Sequence, residues 1–184
     1  IDLKNEINMN DKSENISISR GNITFKNINF AYQSNKDKQI LNNISVEFRG
    51  GEMTALVGLS GSGKSTMLNL IPRIYTPRSG SIELDNQDIS RINLNSLRKE
   101  ISIVDQNTTL FDDTVFNNII YAKPDAAADE VYEAAKSAMC NDFINNLDKG
   151  FDTLIGENGV KLSGGEKQRL SIARAFLKKS SIIL

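Results

Sequence analysis

Histidine and tryptophan are missing from these 184 residues, and cysteine occurs once, as Cys140. Without histidine the chain has no imidazole for acid–base catalysis or metal ligation. A lone cysteine excludes an intrachain disulfide, so nothing ties the fold to an oxidising compartment. Also missing is any apolar run near the roughly 18–20 residues that a membrane-spanning helix needs. Net charge is almost absent, with 22 Lys and Arg against 23 Asp and Glu. Such a balance disfavours nucleic acid as a partner, which usually requires a basic surface. What remains is an ordinary globular composition, long enough for one domain and too short for two comfortable ones.

Residues 1–20 are polar with scattered isoleucines and read as a linker or mobile arm; they look nothing like a signal peptide. The pattern changes at Gly21. Ile23, Phe25, Ile28 and Phe30 alternate with polar residues through one phase slip, the mark of a strand with a bulge. A polar loop over residues 33–39 precedes a second alternating strand at Ile44, Val46 and Phe48. After Gly50 and Gly51, the short apolar run 53–57 suits a buried parallel strand. A short strand over Ile82, Glu83 and Leu84 with a turn at 85–88 follows. Next come a short helix at Leu94 and Leu97 and a strand at 101–104. Helical spacing covers 114–121, 126–147 and 163–176, and Ile182, Ile183 and Leu184 open a further buried strand. Strands alternating with helices predict an α/β domain with a largely parallel sheet and an antiparallel β patch on its N-terminal side.

Gly58, Leu59, Ser60, Gly61, Ser62, Gly63, Lys64 and Ser65 match G-x-x-x-x-G-K-[ST], followed by Thr66 and a helical pattern. Small residues let the backbone curl around an anion, so that successive N–H groups face phosphate oxygens. The helix N-terminus adds partial positive charge. In such a loop Lys64 reaches the β- and γ-phosphates and the Ser65 hydroxyl ligates Mg²⁺.

A second motif, Leu162, Ser163, Gly164, Gly165 and Glu166, begins the helical stretch Lys167 to Ala175. As plain local structure, Ser163 and Glu166 form a capping box. Two glycines in a first turn are poor helix formers, however, and are better explained by something approaching the backbone closely. The two motifs together resemble the ATP-binding-cassette (ABC) family, and the resemblance runs from Gly21 to Leu184. The stretch 109–119 and the opener 21–25 are most similar to the nucleotide-binding domain of exporters of the lipid and multidrug type. In the signature, Glu166 stands where glutamine is commoner.

The resemblance implies a P-loop NTPase core with a helical signature subdomain over 21–184. Residues 1–20 would then lead from a transmembrane domain of the same protein. ATP and Mg²⁺ are the implied ligands. Gly58, Ser60, Gly61, Ser62, Gly63, Lys64, Ser65 and Thr66 would form the grip. Tyr32 would stack on adenine, and Gln106 would join Ser65 at Mg²⁺. Apart from the resemblance, Tyr32 is an aromatic at ordinary strand spacing and Gln106 an ordinary loop glutamine, and both readings stay open. Ser163, Gly164, Gly165 and Glu166 would act in trans, on ATP held by a second cassette in a head-to-tail dimer. Residues 156–159 resemble the exporter X-loop. The family's Mg²⁺-binding aspartate, water-activating glutamate and switch histidine follow the strand that opens at Ile182, so residues 1–184 are expected to contain no catalytic residue. They are expected to bind ATP without appreciable hydrolysis, as a piece of a longer membrane protein with this domain on the cytoplasmic face. A soluble ABC-type ATPase for chromosomes, DNA repair or translation is the alternative. The near-neutral charge disfavours it, as does the span of about 100 residues between Gly58 and Ser163, which carries no sustained heptads.

Overall fold

A computed structural model describes residues 14–184 apart from Lys36, in two units that meet between Ile101 and Ser102. The reading of residues 1–13 as an arm therefore lies outside the described residues.

In the first unit β1 (Ile23–Phe30) is an inner strand of a four-stranded antiparallel sheet. The strand order is β2 (Leu41–Phe48), β1, β3 (Ser79–Leu84), β4 (Gln87–Asp88). The phase slip is a real irregularity: Asn27 adopts φ 51°, and the register shifts between Phe25 and Ile28. That shift returns Ile28 and Phe30 to the face already occupied by Ile23 and Phe25, and all four are buried. Phe25 meets Phe48 edge-on, with ring centres 5.9 Å apart. Asp85 and Asn86, at φ 48° and 64°, make the tight two-residue turn between β3 and β4. Helices α1 (Lys64–Leu70) and α2 (Leu94–Lys99) complete this unit, the latter capped by the Asn93 side chain, which accepts from Ser96 N–H.

Residues 53–57 differ from the sequence reading. They belong to no strand or helix, and Met53 and Val57 are 99% and 93% exposed. A buried parallel strand needs ladder partners and covered faces, and no strand among the described residues pairs with this run. Residues 14–20 also differ, being fastened to the first unit by hydrogen bonds rather than loose.

The second unit holds the parallel pairing. Leu184 N–H donates to Ser102 O and Val104 N–H to Leu184 O, the slanted pattern of parallel strands, between β5 (Ile101–Ser102) and β6 (Ile182–Ile183). Its core is helical. Helices α3 (Val115–Ile120), α4 (Ala128–Ser137), α5 (Asn141–Asn145) and α6 (Gly164–Lys178) enclose Val115, Ile119, Val131, Ile144, Leu170 and Leu177. The helical spacing over 126–147 resolves into α4 and α5, because Met139 turns left-handed at φ 56° and stops the first helix. Small residues Ala134 and Ala135 on α4 and Ala173 on α6 share that core, and α4 packs on α6.

Candidate functional site

The phosphate-loop residues form a turn that feeds α1. Gly61 and Gly63 take φ 81° and 89°, backbone that L side chains rarely adopt. Gly63 is doubly constrained, since a Cβ there would lie 2.8 Å from Leu41 Cδ2. No side chain caps α1 at Gly63; its first intrahelical bond runs from Met67 N–H to Gly63 O. The first-turn N–H groups are thus left without a side-chain cap, the condition an anion needs. Lys64 folds back over the turn, its Nζ donating to Gly58 O and Leu59 O at 2.8 Å each and to Ser62 Oγ at 3.3 Å. Ser60 and Ser65 are exposed, whereas Thr66 is buried. The loop therefore offers a cation, the exposed hydroxyls of Ser60, Ser62 and Ser65, and uncapped amides on one short turn. That donor set fits a polyphosphate, with the Ser65 hydroxyl as an oxygen for Mg²⁺. Among the described residues no three His, Cys, Asp or Glu side chains converge on a metal-sized site.

Tyr32 is joined to this loop. Its hydroxyl is 2.8 Å from Thr66 Oγ1. Its ring packs edge-on against Phe30 and Tyr75, at centre distances of 5.0 and 5.2 Å. A pocket of about 1010 Å³ opens over these rings, lined among others by Ile74, Pro77 and Arg78. Tyr75 is a member of this aromatic cluster that sequence reasoning did not single out. Its place in the loop before Pro77 carries no periodicity that would have marked it.

The remaining candidates lie in the second unit. Gln106 is exposed in the bend after β5. At the head of α6 the capping box is present: Glu166 Oε2 accepts from Ser163 N–H at 2.7 Å and from the Ser163 hydroxyl at 2.8 Å, and Ser163 Oγ accepts from Glu166 N–H. These bonds from the Ser163 hydroxyl and amide hold the Glu166 carboxyl below the usual glutamate range. The two glycines beside it have no structural reason to lack a side chain. A Cβ on Gly164 would meet nothing within 4 Å, and one on Gly165 only Arg169 Nη1 at 3.8 Å. The space over this helix end is open, which suits contact with another molecule.

Two further residues organise the loop that carries Gln106. Asn118, fully buried on α3, accepts from Phe111 N–H and donates to Phe111 O and Thr114 O. Arg174 on α6 donates through Nε to Asn118 O, through Nη1 to Thr109 O and through Nη2 to Asn118 Oδ1, at 2.6–2.7 Å. Its guanidinium also lies over the Phe111 ring. The signal for both was a polar residue on an apolar helix face: Asn118 between Val115 and Ile119, and Arg174 between Leu170 and Leu177.

A fold and loop of this kind define a P-loop nucleotide-binding domain, and comparison with known proteins narrows the class. The family described as "ABC transporter" matches residues 41–184. The ATP-dependent lipid A-core flippase of Syntrophus aciditrophicus (strain SB) is 48% identical over 184 residues, 100% of this chain and 30% of that protein. A putative multidrug export ATP-binding/permease protein of Staphylococcus aureus (strain NCTC 8325 / PS 47) is 46% identical over 183 residues, 100% of this chain and 31% of that protein. Among solved structures, a bacterial Atm1-family ABC exporter with ATP bound superposes with a TM-score of 0.90 at 43% identity, over 94% of this chain and 30% of that one. The chain belongs to the ABC transporter family, and its α/β fold is that of the family's nucleotide-binding domain. It spans about a third of the length of the relatives it matches.

Proposed function

We propose that this chain is the ATP-binding part of an ABC exporter. In the whole protein it would drive transport by closing and opening against a second cassette. The observation that carries this reading is the turn 58–66, which sets Lys64 and the exposed hydroxyls beside the uncapped start of α1. Gly58, Ser60, Gly61, Ser62, Gly63, Lys64, Ser65 and Thr66 hold the phosphates of ATP. Lys64, released from its three loop oxygens, neutralises phosphate charge. Ser65 would hold Mg²⁺, with Gln106 assigned to the same role by the family resemblance alone; the ion would supply charge neutralisation at the phosphate oxygens. Tyr32 presents its ring to adenine from a fixed position beside Thr66.

Ser163, Gly164 and Gly165 bind the γ-phosphate on the partner cassette, and Glu166, through the capping box, fixes their backbone for it. Loss of that phosphate removes the contacts that hold the two cassettes together. Residues 1–20 connect to a transmembrane domain, which places this domain at the cytoplasmic face of a membrane. The hydrolytic carboxylates and switch histidine are not among residues 1–184, which bind ATP without appreciable turnover. The relatives named above are a flippase and a putative multidrug export protein, and no observation favours a soluble ATPase.

The test separates the two motifs. Lys64→Ala lowers ATP affinity by about tenfold or more, the weight of a charge-assisted bond. Ser163→Arg leaves binding by a single domain intact and abolishes ATP-driven dimerisation, read by light scattering. Equal loss of single-domain binding in both variants would remove the trans role. Normal binding in Lys64→Ala would remove the grip.

A further inference from the structure

The segment entering the first strand is held by one carboxylate. Asp85, in the β3–β4 turn, accepts through Oδ2 from Ser19 N–H, Arg20 N–H and Gly21 N–H at 2.7–2.9 Å and from the Ser19 hydroxyl at 3.2 Å. Through Oδ1 it accepts from Asn22 N–H at 2.9 Å, and its own N–H donates to Asn22 O. Four consecutive backbone amides thus converge on a single side chain. Upstream, Gln87 brackets Ser17, accepting its N–H and donating to its carbonyl. Ser96 Oγ accepts from Ile16 N–H, and Asn93 N–H donates to Glu14 O. Apolar burial contributes little here: Ser17, Ser19 and Arg20 are exposed, and Ile16 and Ile18 only half-buried. Polar latches hold the segment in place.

Its other side presses on a specific turn. Asn22 Oδ1 accepts from Gly50 N–H at 2.8 Å. A Cβ on Gly50 would lie 1.7 Å from Arg20 O, so no other residue fits under the segment. Gly50 and Gly51 lead through the unpaired run 53–57 into the phosphate loop at Gly58.

We infer that residues 14–22 form a strap whose positioning residue is Asp85, and that the strap bears through Gly50 on the chain that feeds the phosphate loop. A pull on the preceding chain then reaches the nucleotide grip, and nucleotide in the grip tightens or loosens the strap. This coupling is reciprocal by linkage: whatever factor strap release applies to ATP affinity, ATP applies to strap release. The second half of the inference rests on the reading of residues 58–66 as an ATP grip.

Asp85→Asn is the selective variant. Asparagine tolerates the left-handed backbone of position 85, but one of its two acceptors becomes a donor facing amide N–H groups. Glu83→Gln is the control, since Glu83 pairs with Lys26 on the same hairpin and makes no bond to the strap. Both are made in the full-length protein and followed by hydrogen exchange and by Mg-ATP binding. In Asp85→Asn, amides 19–22 exchange about tenfold faster or more while those of β1 do not change. The ATP dissociation constant shifts by about fivefold or more, the usual range of site-to-site coupling. The control leaves both unchanged. Unaltered exchange at 19–22 overturns Asp85 as the anchor. Faster exchange with an ATP constant within about fivefold of the parent overturns the link to the phosphate loop. If the parent protein itself does not bind Mg-ATP, the grip reading falls and the link with it, while the exchange result still decides the anchor.

Discussion

The two motifs that carry the proposed chemistry are built in opposite ways. The phosphate loop lies on the surface of the first unit, where Leu59 is 86% exposed and the turn is held by its own lysine. Its helix is seven residues long and starts without a capping side chain. The signature sits at the end of a fifteen-residue helix with a complete capping box, on a core that includes the fully buried Leu170 and Leu177. A grip on phosphate is made of backbone, so its N–H groups must stay free of other partners, and rigidity comes from glycine geometry and one cation. A surface that meets a second molecule needs a fixed orientation, and packing supplies it from a distance along the helix. Local exposure at the first motif and distant burial at the second are therefore two solutions to the same need for preorganisation.

The sharpest way to break this comparison is a pair of leucine truncations. Leu170→Ala removes a buried side chain under the signature helix and is expected to cost about 2–5 kcal/mol in denaturant unfolding of the second unit. Leu59→Ala in the phosphate loop is expected to stay within about 0.5 kcal/mol of the parent. Similar losses for both would show that the loop is packed after all.

A smaller effect tests how the second unit holds its long loop. Arg174→Lys keeps the charge but cannot reach Thr109 and both acceptors of Asn118 at once. Thermal unfolding should register a loss of about 1–3 kcal/mol, and exchange at the Phe111 amide should quicken. No change in either measurement would reduce the Arg174 fork to decoration.

The smallest effect is a pH dependence at the far end of the same helix. Glu130 accepts from Lys179 and Lys123, and these partners lower its pKa from 4.5 to about 2. A carboxylate whose folded pKa is depressed stabilises above its unfolded value and loses that contribution as pH falls through the folded one. The stability gap between the parent and Glu130→Gln is thus full at neutral pH and closes between about pH 4.5 and 2. As the group is still partly open to solvent, the gap is small and shrinks with added salt. A gap that widened toward acid would reverse the assignment.

Much of this was legible in the sequence, because the signals were local. The bulge in β1 shows as a slip in alternation at Asn27, and the capping box as Ser163 and Glu166 three apart. The phosphate loop is legible in its glycines and lysine. The family follows from the two motifs together. What escaped depends on contacts across long separations. Asp85 looks like a turn residue, and nothing near it says that it gathers amides more than sixty positions earlier. Arg174 and Asn118 are 56 positions apart. The run 53–57 departs from its sequence expectation for the converse reason: its apolar pattern suits a buried strand, but pairing is decided by neighbours that a local window does not see.

Gly164 has a consequence for the history of such a chain. An alanine there would meet open space and make a better helix former, a gain below the roughly 1 kcal/mol of a helix interior. The folded domain alone would gain from the change, so selection on folding favours losing the glycine, and the proposed contact in trans is what would oppose that loss. A survey of tolerated substitutions scored by folding would pass over this position, and one scored by the proposed ATP-driven dimerisation would single it out.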